Sequence, residues 1–385
     1  MSVRAGCGLS TLADPVRGAR VAAEAARAQL GPHPADLVFA FCSGAHLEDP
    51  AATLAALNEV LAPGTLAGCG AAGVVGDGRE IEEGTAISIW AGNLGDARAE
   101  AFHAAVETQD DGLRIDGFPV LEGASALILL PDPYSFPTEQ VLAELPGVGP
   151  GVPVLGGLAS ASGPEGAVLL CDEQVHTSGA VGVRLDGLEI LPCVSQGATP
   201  IGPELTVTAG EGNIIAELAG RPALTRLREA VEALDEEETA MLTGGLLLGL
   251  VIDAAQTEYV QGDFLVRGLL GADPDRGAIA VGAPVEPGSI VRLHARDARS
   301  ADAELRRALE LRRTALGGAA PAGVVLFTCN GRGRGMFGTP DHDAAAIAEL
   351  LAGTPTAGFF AGGEIGPVGG QPFLHSFTAT AALFT

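Results

Sequence analysis

The stretch Gly358-Phe-Phe-Ala-Gly-Gly-Glu-Ile-Gly-Pro-Val-Gly-Gly370 sets one carboxylate, Glu364, in an otherwise uncharged, glycine-dense turn. Upstream of it, Phe327-Thr-Cys-Asn-Gly-Arg332 ends an apolar run that begins at Val324. Glycine at this density lets backbone approach backbone or ligand closely. A lone carboxylate inside such a turn needs a partner, because an unpaired buried charge is costly. Taken together the two segments read as strand, helix and glycine-rich strand, and that order decides the fold.

The same order occurs twice earlier in the chain. Leu37-Val-Phe-Ala-Phe41 is an apolar strand, and Asp49-Pro50 opens a helix with Leu54, Leu57 and Leu61 on one face. Pro63-Gly64 stops that helix, and Thr65-Leu-Ala-Gly-Cys-Gly70 runs into the turn at 73–78. In the second copy, strand 126–130 leads to a short helix carrying Val141, Leu142 and Leu145, then to residues 153–158. The third copy has strand 324–327, a helix starting at Thr339-Pro340 with Ile347, Leu350 and Leu351, and strand 356–360. The span from strand to glycine is similar in each: Leu37 to Gly68, Leu127 to Gly156, Val324 to Gly358. Closing strands are expected at 86–90, 179–183 and 377–381.

Other segments differ. Asp14-Pro15 opens an alanine-rich helix that ends at Gly31-Pro32, with Asp a good N-cap and Pro suited to the first turn. Residues 211–220 read as a hairpin leading into a helix at 222–234, and Asp235-Glu-Glu-Glu238 as a solvated loop. Strands at 246–252, 264–266, 279–281 and 290–294 suggest a largely antiparallel sheet, after which Ser300 caps a helix with Leu305, Leu309 and Leu316 inward. Helices alternating with groups of two or three strands favour mixed sheets with helices on one face. The expected class is therefore α+β or α/β, with internally repeated strand–helix–strand–hairpin units in α-β-β-α layers. Two domains are expected, residues 1–208 with two copies and 209–385 with the third.

Composition narrows the function. The net charge of −26 repels phosphate backbones and anionic lipid, so neither nucleic acid nor a membrane surface is an expected partner. Aromatic residues make up 4%, too few for base-stacking platforms. Every basic residue is arginine, which removes Schiff-base, P-loop and kinase-type lysine chemistry. The six cysteines are dispersed, with no C-x-x-C and no Cys/His cluster, so no structural zinc is expected. Without a signal pattern or a long apolar run, a cytoplasmic chain with reduced thiols is expected. Gly68-Cys-Gly-Ala-Ala-Gly73 matches G-x-G-x-x-G, but turn residues follow it where a dinucleotide fingerprint requires a helix. No cofactor is expected.

Several segments carry a resemblance: Val194-Ser-Gln-Gly-Ala-Thr-Pro-Ile-Gly-Pro203, Asp263-Phe-Leu-Val-Arg-Gly268, His294-Ala-Arg-Asp297, Cys329-Asn-Gly-Arg332 and the residues 358–367. In this order, from Asp36 to the C-terminus, the chain resembles the FIST family of bacterial and archaeal sensory proteins, with an N-terminal FIST and a FIST-C region. The resemblance implies a ligand-sensing module for small molecules such as amino acids, often fused to signalling output domains. No motif of such an output domain is found in this sequence, so a separate output protein is expected.

The candidate ligand residues are Cys329, Asn330, Arg332, Phe359, Gly362, Gly363 and Glu364, with Ser195 and Gln196 as neutral hydrogen-bonding groups. Arg332 suits a ligand carboxylate bidentately. It equally suits a salt bridge to Glu364 or to another acid. Glu364 suits a ligand ammonium. Cys329 reads as a pocket-lining or buried thiol, and an activating base would be needed to make it a nucleophile. Asp341-His-Asp343 reads as acids in a first helical turn, favoured there by the helix dipole. A non-enzymatic sensor for an amino acid or small carboxylate is the leading expectation. A Cys329-dependent acyl-transfer enzyme and a protein-binding adaptor are the alternatives.

Overall fold

The computed structural model describes residues 3–109, 112–242, 245–253, 255 and 258–385. The chain is an α+β protein built from mixed sheets, and it divides into two compact units, Met1–Val194 with Leu305–Thr385, and Ser195–Glu304.

In the first unit the three copies share one topology. A central strand (Leu37–Ser43, Ala126–Pro131 or Gly323–Cys329) pairs in parallel with a glycine strand (Thr65–Gly70, Val154–Gly157 or Thr356–Ala361). On its other side it pairs antiparallel with a closing strand, Ala86–Asn93, Ala180–Asp186 or Ala379–Phe384. Each crossover is a helix: Pro50–Leu61, Thr138–Val148 and His342–Leu350. The register matches as well, because Ala40 faces Gly68, Leu129 faces Gly156 and Leu326 faces Gly358. A Cβ at these glycines would stand 1.9, 1.9 and 2.0 Å from the facing carbonyl oxygen. No side chain fits there, which fixes glycine at the same place in every copy.

The copies exchange hairpins. After its glycine strand, the first copy forms the hairpin Val74–Gly76 and Arg79–Ile81, which pairs with the third copy's glycine strand. The second copy's hairpin, Leu169–Cys171 with Gln174–His176, pairs with the first copy's glycine strand. The third copy's hairpin, Glu364–Val368 with Gln371–His375, pairs with the second's. The cycle is closed. Where the crossovers meet, the Ser160 amide donates to the Gly70 carbonyl, its hydroxyl donates to the Phe360 carbonyl, and that hydroxyl accepts from the Ala72 amide.

Sheet alternation then sorts the side chains. Phe39 and Phe41, Ile128 and Leu130, and Phe327 and Phe359 point into one shared core. Their neighbours face outward to helices. Val38 and Ala40 meet the helices Pro15–Leu30 and Pro50–Leu61. Leu127 and Leu129 meet Val141, Leu142 and Leu145, while Val324 and Leu326 meet Leu305, Leu309 and Ile347. Helix on sheet on sheet on helix follows from period-2 alternation on strands buried on both faces.

In the second unit, antiparallel strands among the described residues form a hydrogen-bonded circuit. Thr199–Glu211 pairs with both Ile290–Ala295 and Ile214–Leu218, and Leu246–Val251, Phe264–Asp273 and Ala278–Val281 complete the ring. Closure removes the exposed edges that a sheet otherwise presents.

Three expectations change. The compact units are not divided at 208/209, since hairpin exchange ties the third copy's strands to the first two. Asp235-Glu-Glu-Glu238 is not a loop but starts the helix Glu236–Met241, with an Asp235/Glu238 capping box. The helix Ala298–Ala315 begins before Ser300, and its first turn is capped by Asp297, whose Oδ1 accepts from the Ser300 amide.

Gly358→Ala is expected to destabilise the chain by about 2–3 kcal/mol through overpacking, read as a lower urea midpoint. Gly353→Ala is expected to cost less, because a Cβ there would meet nothing within 4 Å and only the φ of +69° opposes it.

Candidate functional site

The end of the third central strand delivers Thr328 and Cys329, and the turn after it delivers Arg332. The hairpin strand Glu364–Val368 delivers Glu364, and the helix His342–Leu350 delivers Asp343 in its first turn. All these side chains are buried, Arg332 and Glu364 almost wholly.

Arg332 forms a fork to Asp343, with Nε to Oδ2 at 2.7 Å and Nη2 to Oδ1 at 2.8 Å. The Thr328 hydroxyl donates to the same carboxylate at 2.6 Å, and His342 Nδ1 lies 2.9 Å from it. Arg332 Nη1 reaches the Phe377 carbonyl at 3.5 Å, and its Cζ sits 5.1 Å from the centre of the Phe337 ring. Phe337 in turn stacks on His342 at 3.4 Å. This guanidinium is therefore committed to the fold. Burial opposes the charge on Asp343, but the Arg332 guanidinium overrides it and holds that carboxyl far below the usual range.

Glu364 has a different neighbourhood. Its Oε2 accepts from the Thr378 amide at 2.9 Å, and the Cys329 thiol lies beside it. Burial pushes Cys329 up to about 12, the Glu364 charge adds to that, and the Gly331 and Phe377 amides only partly offset it. A thiol so protonated at neutral pH is a poor nucleophile. Phe377, whose amide reaches Cys329, has φ +60°, and its ring leaves room at Gly331 only for hydrogen. A left-handed conformation is a genuine outlier for a bulky aromatic residue.

The other two copies show what the same positions hold elsewhere. By register, Glu364 occupies the hairpin position held by Leu169 in the second copy and Val74 in the first. Cys329 occupies the strand-end position of Ser43 and Asp132. The fold thus accepts apolar residues where the third copy buries an acid.

Residues 36–221 match the FIST N domain and residues 223–367 the FIST C domain. The chain belongs to the FIST family. FIST domains are sensory domains of signal-transduction proteins. An uncharacterized protein of Mycobacterium tuberculosis is 44% identical over 384 residues, spanning 99% of this chain and 100% of its own. An uncharacterized protein of Mycobacterium bovis is 44% identical over 385 residues, covering 99% of each chain.

In this FIST protein the sequence-chosen residues separate into groups. Cys329, Arg332 and Glu364 lie in one unit around the backbone of residues 377 and 378. Asn330 is exposed, with its amide on the Ala361 carbonyl, and Phe359 is a core ring 4.8 Å from Phe41. Gly362 and Gly363 exchange backbone hydrogen bonds with Leu158. Ser195 and Gln196 belong to the other unit, where the Ser195 hydroxyl donates to Glu304 and Gln196 bridges the Phe264 carbonyl and the Val266 amide. No helix among the described residues is long and apolar enough to cross a membrane.

Two further residues belong to this cluster although their sequence context does not point to it. Asp343 reads locally as a helix-start acid, and only the folded turn brings Arg332 onto it. Glu80 comes from the first copy's exchanged hairpin, where its Oε1 accepts the Asp343 and Ala344 amides at 2.8 and 3.0 Å. No local signal marks it. Burial pushes Glu80 up to about 7, Asp343 beside it adds to this, and the two amides oppose it.

Asp343→Asn is expected to cost about 3–5 kcal/mol, because it removes the carboxylate charge that a buried guanidinium forks onto. Urea unfolding should show Arg332→Met with Asp343→Leu costing less than either change alone. Glu80 has its folded value above its unfolded one of 4.5, so between these values the native state holds a proton that the unfolded chain has released. Its contribution makes stability fall as pH rises from about 4.5 to about 7 and level off above. In a pH series of melting curves, Glu80→Gln should remove that decline.

Proposed function

We propose that this FIST protein is a cytoplasmic sensor that binds a small ligand, an amino acid or a small carboxylate, at the strand ends of its third copy. The observation that carries this reading is the buried Glu364, beside Cys329, at a hairpin register position that is apolar in the other two copies. Burying a carboxylate costs free energy that Leu169 or Val74 does not. A repeat that tolerates the apolar choice twice has no folding need for the acid.

The strained residue whose amide reaches Cys329, Phe377, supplies the response. An aromatic residue in the left-handed region stores on the order of 1–3 kcal/mol, and such strain clusters at ligand clamps and switches. Displacing Phe377 opens Glu364 to a ligand amine, which replaces the thiol as its partner and relieves the strain. The ligand shifts the population toward that opened state by its differential affinity for it. Arg332 acts as a positioning residue, because its donors are used by Asp343 and the Phe377 carbonyl. Arg334, exposed on the short helix Arg334–Phe337, is the cation offered to a ligand carboxylate. A separate output protein reads the rearranged 376–378 segment.

A thermal-shift screen with amino acids and small carboxylates tests this. A binder present at about a hundred times its Kd adds roughly 2.7 kcal/mol and raises Tm by several degrees. Glu364→Gln should abolish the shift while retaining the folded chain. A library that shifts nothing, or a shift that survives Glu364→Gln, overturns the reading.

A further inference from the structure

A groove of about 890 Å³ opens in the first unit, away from the third copy's strand ends. That volume is in the range of small-ligand sites. One wall is the second copy's exchanged hairpin, with Asp172, Glu173 and His176, and the other is the strand Arg98–Gln109, with Phe102 and His103. The hairpin wall is fastened in place. Asn58 Nδ2 donates to the Asp172 carbonyl at 3.1 Å, and Asp172 Oδ1 accepts from the Leu66 amide at 3.0 Å.

The two histidines define the chemistry. Their rings stack with centroids 3.6 Å apart and planes at 11°. His103 Nε2 lies 2.8 Å from the Ser178 carbonyl, so that nitrogen carries the proton and Nδ1 of the neutral ring is an acceptor. Close parallel stacking requires at least one neutral ring, and burial together with His103 holds His176 below its ordinary value. Among the described residues no arginine lines the groove, and the chain has no lysine. An anionic ligand would meet the Asp172 and Glu173 carboxylates with no countercharge. A cation with N–H donors meets carboxylates and flat ring faces.

We propose that this groove is a second binding site, which takes a small planar organic cation of the guanidinium or amidinium class. The planar cation lies against the imidazole stack, with its N–H groups turned to Glu173 and Asp172. Guanidinium suits this arrangement because it stacks on ring faces and donates in its own plane. The site is separate from the Glu364 cluster and does not depend on the function proposed for it.

Isothermal titration of the full chain with agmatine and methylguanidinium tests the proposal, with putrescine, acetate and phosphate as comparisons. Both guanidinium probes should bind saturably, and both anions should give no saturable heat. Glu173→Gln, at an exposed turn position, should weaken agmatine about threefold. His176→Ala should weaken it about tenfold by removing the stacking face. Glu364→Gln should leave agmatine binding unchanged, which separates this site from the third copy's. No saturable binding by about 10 mM agmatine, roughly the weakest affinity worth calling a site, overturns the proposal. So does agmatine binding indifferent to Glu173→Gln, or putrescine or phosphate binding as tightly as agmatine.

Discussion

The first unit depends on the contact between each glycine strand and the exchanged hairpin beside it. Gly68, Gly156 and Gly358 carry no side chain because a carbonyl of the central strand occupies that space. Each of these strands takes its second hydrogen-bonding partner from another copy. A copy taken alone would leave its glycine strand as an open edge and its own hairpin unpaired. The three therefore form one cooperative body, although the third is separated in sequence by the residues Ser195–Glu304.

Exchange also explains why chemistry can appear in one copy without disturbing the others. Equivalent positions in a repeat face equivalent packing, so the apolar residue is the low-cost solution, as Leu169 and Val74 illustrate. Glu364 departs from it and is met by the Thr378 amide and the Cys329 thiol. Glu80 departs in the same sense. It faces the start of the helix His342–Leu350, where Val175 and Leu374 stand at the matching hairpin positions. Its carboxylate takes up two of the amides that a helix start leaves unpaired. The polar departures gather around the third copy.

Arg332 shows how the fold narrows an open local reading. A guanidinium after a strand end suits a bidentate partner, and it has one. The fork is met by the Asp343 carboxylate. The intervening turn and short helix Arg334–Phe337 decide whether the two meet. The value of the pair is specificity of that turn, because two buried charges roughly offset their own desolvation.

By itself the sequence determined the strand–helix–strand order, the threefold recurrence, the glycine in each copy and the FIST family. These are local or periodic signals: alternation, Pro and Asp at helix starts, and glycine where a Cβ cannot fit. Tertiary structure alone decided the cyclic hairpin exchange, the closed barrel of the second unit and the partners of Arg332, Glu364 and Glu80. Those depend on which distant edges meet. Edge pairing is made by backbone groups that every residue carries, so the side chains do not announce it.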